Sequence, residues 1–143
     1  MDVAEVENLE LGSVPLVVYG AMLGATVTGQ LAGIMLDSAF ASRSLWVPCA
    51  LSVALEALVG ARYGAARTGR ALGLARCARA SATYSGLLLA VSVPLAAWII
   101  AARPVSSAHP SWTLVDAAVA LGAVAVATVA RSALMAAFSP RAR

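Results

Sequence analysis

Lysine is absent from this chain, and asparagine and histidine occur once each, as Asn8 and His109. Charged residues make up only 12% of the 143 and aromatic residues 6%, while hydrophobic residues reach 61%. A soluble domain is about a quarter charged and just under half apolar, so these proportions exclude an ordinary globular cytosolic protein. Two cysteines are too few for a disulfide scaffold. Asn8 is followed by Leu9 and Glu10, which makes no Asn-x-Ser/Thr sequon and excludes N-glycosylation. One histidine, beside Pro110, cannot build a metal or haem centre without partners, and no ligand cluster accompanies it. Nucleophile-elbow, dinucleotide and P-loop signatures are missing as well. The expectation is a non-enzymatic protein with no cofactor. All ten cations are arginine, and that bias, with the abundance of alanine, fits a GC-rich genome, bacterial or viral.

What the chain does have is long apolar runs, with a mean hydropathy of +0.85. A hydrocarbon core about 30 Å thick takes about 20 apolar residues as a helix. Four windows qualify: about 14–36, 45–61, 81–102 and 113–138. They are too long and too evenly apolar for the alternating strands of a membrane barrel. The predicted fold is therefore all-α, a four-span membrane domain over 14–138. An acidic tail, 1–13, precedes it, a basic loop, 62–80, divides it, and a short basic tail, 139–143, follows. Asp2, Glu5, Glu7 and Glu10 stand where a signal peptide needs positive charge, so the first span is expected to be retained.

Arginine placement predicts orientation. The middle loop holds Arg62, Arg67, Arg70, Arg76 and Arg79, and the tail holds Arg141 and Arg143. The other two loops offer only Arg43 (with Asp37) and Arg103. Positive-inside counting puts the middle loop and both termini in the cytosol. Trp46, Trp98 and Trp112 then all fall at outer span ends, where indoles favour the interface. Cys49 and Cys77 fall on opposite sides and are not expected to pair. Cys77, between Arg76 and Arg79, sits where juxtamembrane palmitoylation occurs, the alternative being an idle thiol. The basic loop faces anionic lipid, and without aromatics or a soluble platform it is not a nucleic-acid site.

Glu56 is the most informative residue. It lies about 16 Å inside the second span, where an ionised group costs on the order of 3 kcal/mol. It is expected to be paired, protonated or facing a wet cavity, which leaves open both ion translocation and a carboxylate that bonds neighbouring helices. Arg131 lies about 22 Å below the outer face of the fourth span. It either pairs with Glu56, tying spans two and four, or snorkels to the inner headgroups. Thr26, Thr28 and Gln30 fall near the same depth in span one. Gly20-x-x-x-Gly24 and Gly29-x-x-x-Gly33 predict close packing on two roughly opposite flanks, within a bundle or between protomers. Ala117, Ala120, Ala123 and Ala127 give span four a small-residue face suited to tight packing rather than a wide pore. Pro94 is expected to kink span three, and Asp116 to complement the N-terminal dipole of the fourth helix.

Together these features resemble the small four-span envelope protein of alphaherpesviruses, the partner of glycoprotein K. The likeness is carried by the acidic segment before the first span, by Val47-Pro48-Cys49-Ala50 opening a second span that closes at Arg62, and by Ala130-Arg131-Ser132-Ala133-Leu134 ending the fourth. It covers most of the chain. It implies cytosolic termini, Golgi, nuclear and virion membranes, escort of a larger membrane glycoprotein, virion envelopment and egress, and control of fusion. The N-terminal tail departs from the family, at about a dozen residues where the family's is much longer. A different class fits some of the same residues: a small bacterial inner-membrane transporter or channel, working through Glu56 as a homo-oligomer. No inverted repeat between the two helical hairpins favours it.

Overall fold

A computed structural model describes residues 10–11, 13–40, 46–102 and 114–140. It is all-α. Four helices follow one another: α1 (Leu16–Phe40), α2 (Trp46–Thr68), α3 (Leu74–Ala102) and α4 (Leu114–Phe138). A minimal antiparallel hairpin precedes them, β1 (Glu10–Leu11) against β2 (Val14–Pro15), with Leu11 opposite Val14.

Three helices are long and apolar enough to cross a membrane: Leu16–Leu36, Trp46–Thr68 and Ala117–Phe138. The described side chains of α3 do not make a comparable run, since residues 96 and 99–102 lie outside them. The calls on Asp2, Glu5, Glu7, Arg43, Arg103, His109, Trp112, Arg141 and Arg143 also lie outside the described residues, as do those on the side chains of Asp37 and Asp116.

The helices outrun the apolar windows at the basic end. Residues 62–80 were expected to be a loop, yet α2 continues to Thr68 and α3 begins at Leu74. Hydropathy marks where an apolar environment ends, whereas alanine and arginine are among the best helix formers, so the helices continue through the charged stretch. The connection itself is short. Gly69 takes φ +64° just past α2, the left-handed conformation that glycine adopts without penalty at a helix C-terminus. Thr68 Oγ1 donates to Gly64 O at 2.8 Å and satisfies one terminal carbonyl. Pro48 stands in the first turn of α2, where its missing N–H costs nothing, and α3 continues through Pro94.

The basic end gathers several segments. Ser13 Oγ donates to Arg76 O at 2.9 Å, joining the hairpin to the first turn of α3. Leu72 N–H donates to Ser139 Oγ at 2.8 Å, joining the α2–α3 turn to the end of α4. The shared apolar core lies in this half of the bundle, built from Val18, Met22, Ala57, Ala61, Tyr84 and Met135. Apart from Val14, Val18 and Leu72 its buried residues are small, aromatic or sulfur-bearing, while Leu31, Ile34, Met35, Val91, Val119, Val126 and Val129 are exposed. A water-soluble protein buries such residues. Polar groups inside under an outside that is branched and apolar make a pattern compatible with a bilayer, where close packing and hydrogen bonds hold helices together.

Toward the other end the two helical hairpins differ. There α1 and α2 stay in backbone contact: a Cβ on Gly29 would lie 2.5 Å from Ser52 Cα, and one on Gly33 would collide with Pro48 Cα. By contrast, the described side chains of residues 90–98 of α3 and 117–123 of α4 are all exposed. Within the chain Gly29 and Gly33 serve the expected close packing, whereas a Cβ on Gly20 or Gly24 would meet nothing within 4 Å.

Candidate functional site: a buried polar network joining four helices

Glu56 and Arg131 meet in the middle of the bundle. Arg131 Nε donates to Glu56 Oε2 at 2.6 Å, and the two side chains are 4% and 3% exposed. The direction of Arg131 follows from helix geometry, since side chains lean toward the N-terminus of their own helix. In α4 that is away from the basic end, so the guanidinium reaches toward mid-bundle instead of snorkelling to the nearer end.

The carboxylate's other oxygen faces α1. Thr26 Oγ1 donates to Glu56 Oε1 at 2.7 Å and also lies 3.0 Å from Met22 O. Tyr84 OH of α3 makes a close hydrogen bond with the same threonine hydroxyl. Thr26 has a single proton, and an ionised acceptor attracts it more strongly than a neutral carbonyl. The consistent assignment is that Tyr84 donates to Thr26, and Thr26 donates to Glu56.

Arg131 uses its remaining donors on α3. Nη1 donates to Ser85 Oγ at 2.9 Å and lies at 3.5 Å from Ser81 Oγ, and the guanidinium sits 4.9 Å from the centre of the Tyr84 ring. Face-on stacking of this kind adds a cation–π attraction. Because Ser85 accepts from Arg131, it donates to Thr128 Oγ1 at 2.7 Å, and Thr128 passes the bond on to Val124 O at 2.7 Å. Ser81 donates to Thr128 O at 2.9 Å. On the α1–α2 side Ser52 Oγ donates to Thr26 O at 3.2 Å. Tyr19 stacks on Tyr84 with centroids 6.4 Å apart and anchors its hydroxyl on Leu11 O at 2.6 Å.

Every helix therefore contributes to one network, and among the described residues no buried side-chain nitrogen or oxygen lacks a partner. This is the condition under which a buried polar cluster fixes one packing. Thr26, Glu56 and Arg131 come together as a unit. Thr28 and Gln30 do not join it. Thr28 is exposed and bonds back to Gly24 O at 2.9 Å, and Gln30 is half-buried. Thr28 shares a depth with Thr26 but stands two residues on, about 200° round the helix. Tyr84, Ser81, Ser85 and Thr128 were not among the expected site residues. Their signal was present as the spacing Cys77, Ser81, Tyr84, Ser85, the i, i+4, i+7, i+8 stripe of one helix face.

Cys77 is fully buried, its thiol 3.5 Å from Leu72 O, and burial pushes its pKa up. A lipidated cysteine must be accessible, so its placement speaks for the idle thiol. Cys49 is exposed near the far end of α2. Trp46 and Trp98 are exposed at that same end. Among the described residues no group of three or more His, Cys, Asp or Glu could hold a metal ion. No family model matches the sequence, and no curated protein or solved structure resembles it significantly.

Proposed function

We propose that this chain is a four-span integral membrane protein, its basic end and both termini in the cytosol, that acts without catalysis by packing against a larger membrane glycoprotein and assisting its assembly and trafficking. The observation that carries this reading is the division of the bundle. Its polar groups are used within the chain in the basic half, while the other half leaves α3 and α4 each exposed along their described faces. The α4 arm bears Ala117, Ala120, Gly122 and Ala123, small residues that let a second helix approach closely. The resemblance to the alphaherpesvirus envelope protein supplies the class of partner, glycoprotein K, and the processes of envelopment, egress and fusion. Transport through Glu56 is the weaker reading, because both carboxylate oxygens are occupied by donors from other helices.

Purification of the tagged chain from its native membrane in mild detergent, with mass spectrometry of what accompanies it, tests the proposal. A stoichiometric larger glycoprotein is expected, lost on Ala120→Phe or Ala123→Phe without a change in melting temperature. A clean homo-oligomer that conducts ions in liposomes, and stops doing so on Glu56→Gln, would overturn it.

A further inference from the structure

We propose that the open pocket at the basic end is a binding site for the phosphate of an anionic lipid headgroup. The pocket, of about 780 Å³, is lined by Arg62 and Arg70 together with Ala65, Ala66, Gly69 and Pro140. That volume suits a headgroup with the first carbons of its chains. The two arginines differ from Arg131 and Arg67. Arg131 is held by Glu56, and Arg67 lies over Tyr63, bonding its hydroxyl at 2.8 Å. Arg62 and Arg70 are exposed, and among the described residues no acid pairs with either.

Local structure brings these two residues to one pocket. Gly69, with φ +64°, ends α2 and turns Arg70 back beside the last turns of the helix. The Leu72–Ser139 hydrogen bond then holds that turn against the end of α4, which brings Pro140 to the pocket. Beyond Pro140 the sequence continues Arg141-Ala142-Arg143. Guanidinium groups match tetrahedral oxyanions by paired N–H donors. The rest of the lining, in contrast, is alanine, glycine and proline, which suits glycerol and acyl carbons better than a water-soluble anion. Depth agrees. Arg62 stands about 24 Å along α2 from Trp46, inside the inner edge of a core about 30 Å thick, where an exposed arginine meets lipid phosphate. The inference rests on the membrane placement of the basic end and not on the partner reading.

The test is native mass spectrometry of the full chain released from nanodiscs, with phosphatidylglycerol and phosphatidylcholine as probes. Wild type is expected to retain phosphatidylglycerol selectively. A charge-assisted hydrogen bond to phosphate is worth roughly ten-fold, so Arg62→Gln with Arg70→Gln should weaken retention by about a hundred-fold. The charge-matched pair Arg76→Gln with Arg79→Gln, outside the pocket, should change it by less than about three-fold. Equal loss in both pairs would reduce the effect to diffuse surface charge and overturn the site, as would no loss in the first pair. Inorganic phosphate that displaces the lipid at millimolar concentration would reassign the pocket to a soluble anion. If the double variant fails to fold, Arg70→Gln alone, beyond the end of α2, is read by the same criteria.

Discussion

Removing either partner of the Glu56–Arg131 pair leaves the other buried without its counter-charge. In Glu56→Leu the guanidinium keeps only the hydroxyls of Ser85 and Ser81, one of them at 3.5 Å. In Arg131→Met the carboxylate keeps only the Thr26 donor. Breaking a buried pair from one side costs about 3–5 kcal/mol, whereas a neutral interhelical hydrogen bond in a membrane averages about 0.6 kcal/mol. The charged pair and the neutral network are thus separable by size. Replacing both partners with apolar residues of similar volume removes the uncompensated charge and is often neutral or stabilising. The double variant Glu56→Leu with Arg131→Met should therefore lie within about 2 kcal/mol of wild type, although each single variant loses 3–5. Reversible unfolding by SDS titration in mixed micelles, followed by helical circular dichroism, measures all four members of the cycle. A coupling energy of about 3 kcal/mol or more is expected. Single effects that merely add, with coupling below about 0.5 kcal/mol, would show that the two charges do not share one site and would refute the reasoning.

Further outcomes follow from the same geometry. Gly33→Ala must push α1 away from Pro48 and Gly29→Ala must push it from Ser52, so each should destabilise by about 1–3 kcal/mol in the same titration. Gly20→Ala and Gly24→Ala meet nothing within 4 Å and should be neutral or slightly stabilising. Tyr84→Phe keeps the ring under Arg131 but removes the hydroxyl bound to Thr26, and should cost about 0.6 kcal/mol, at most about 1.7. Burial raises the Cys77 thiol, which in the folded state stays protonated to higher pH than in the unfolded state. Its contribution to stability is complete below the unfolded thiol's pKa and is lost as pH rises toward the folded one. Iodoacetamide alkylation followed by mass spectrometry should accordingly find Cys77 protected at neutral pH and modified in SDS.

The pair at the centre of the bundle was legible because a charge at mid-depth in an apolar run requires a partner, and few candidates exist. Depth alone located it, and depth alone misassigned Thr28, which points to the opposite side of α1 from Thr26. The hydroxyls of α3 and α4 escaped notice for a different reason. Serine and threonine are ordinary in membrane helices, and only the angular spacing of Ser81, Tyr84, Ser85, Thr128 and Arg131 marks them as facing one another. Three of the four spans could be read from hydropathy, but not the helix ends, because the alanine- and arginine-rich stretch around residues 62–80 is polar and helical at once. The first glycine pair, Gly20 and Gly24, meets no neighbour within the chain. Small spacing permits close approach, but it does not supply the neighbour.

The proposed function and the lipid site rest on the chain crossing the bilayer four times with its basic end inside, and α3 is the helix on which that placement turns. Single cysteines placed at Ala71, in the basic turn, and at Ala108, in the expected outer loop, test it in a Cys49→Ser, Cys77→Ala background. The account predicts that a membrane-impermeant maleimide labels Ala108→Cys in intact cells and Ala71→Cys only after lysis. Labelling of both positions from the same side would mean that α3 does not span the membrane, and would contradict the account.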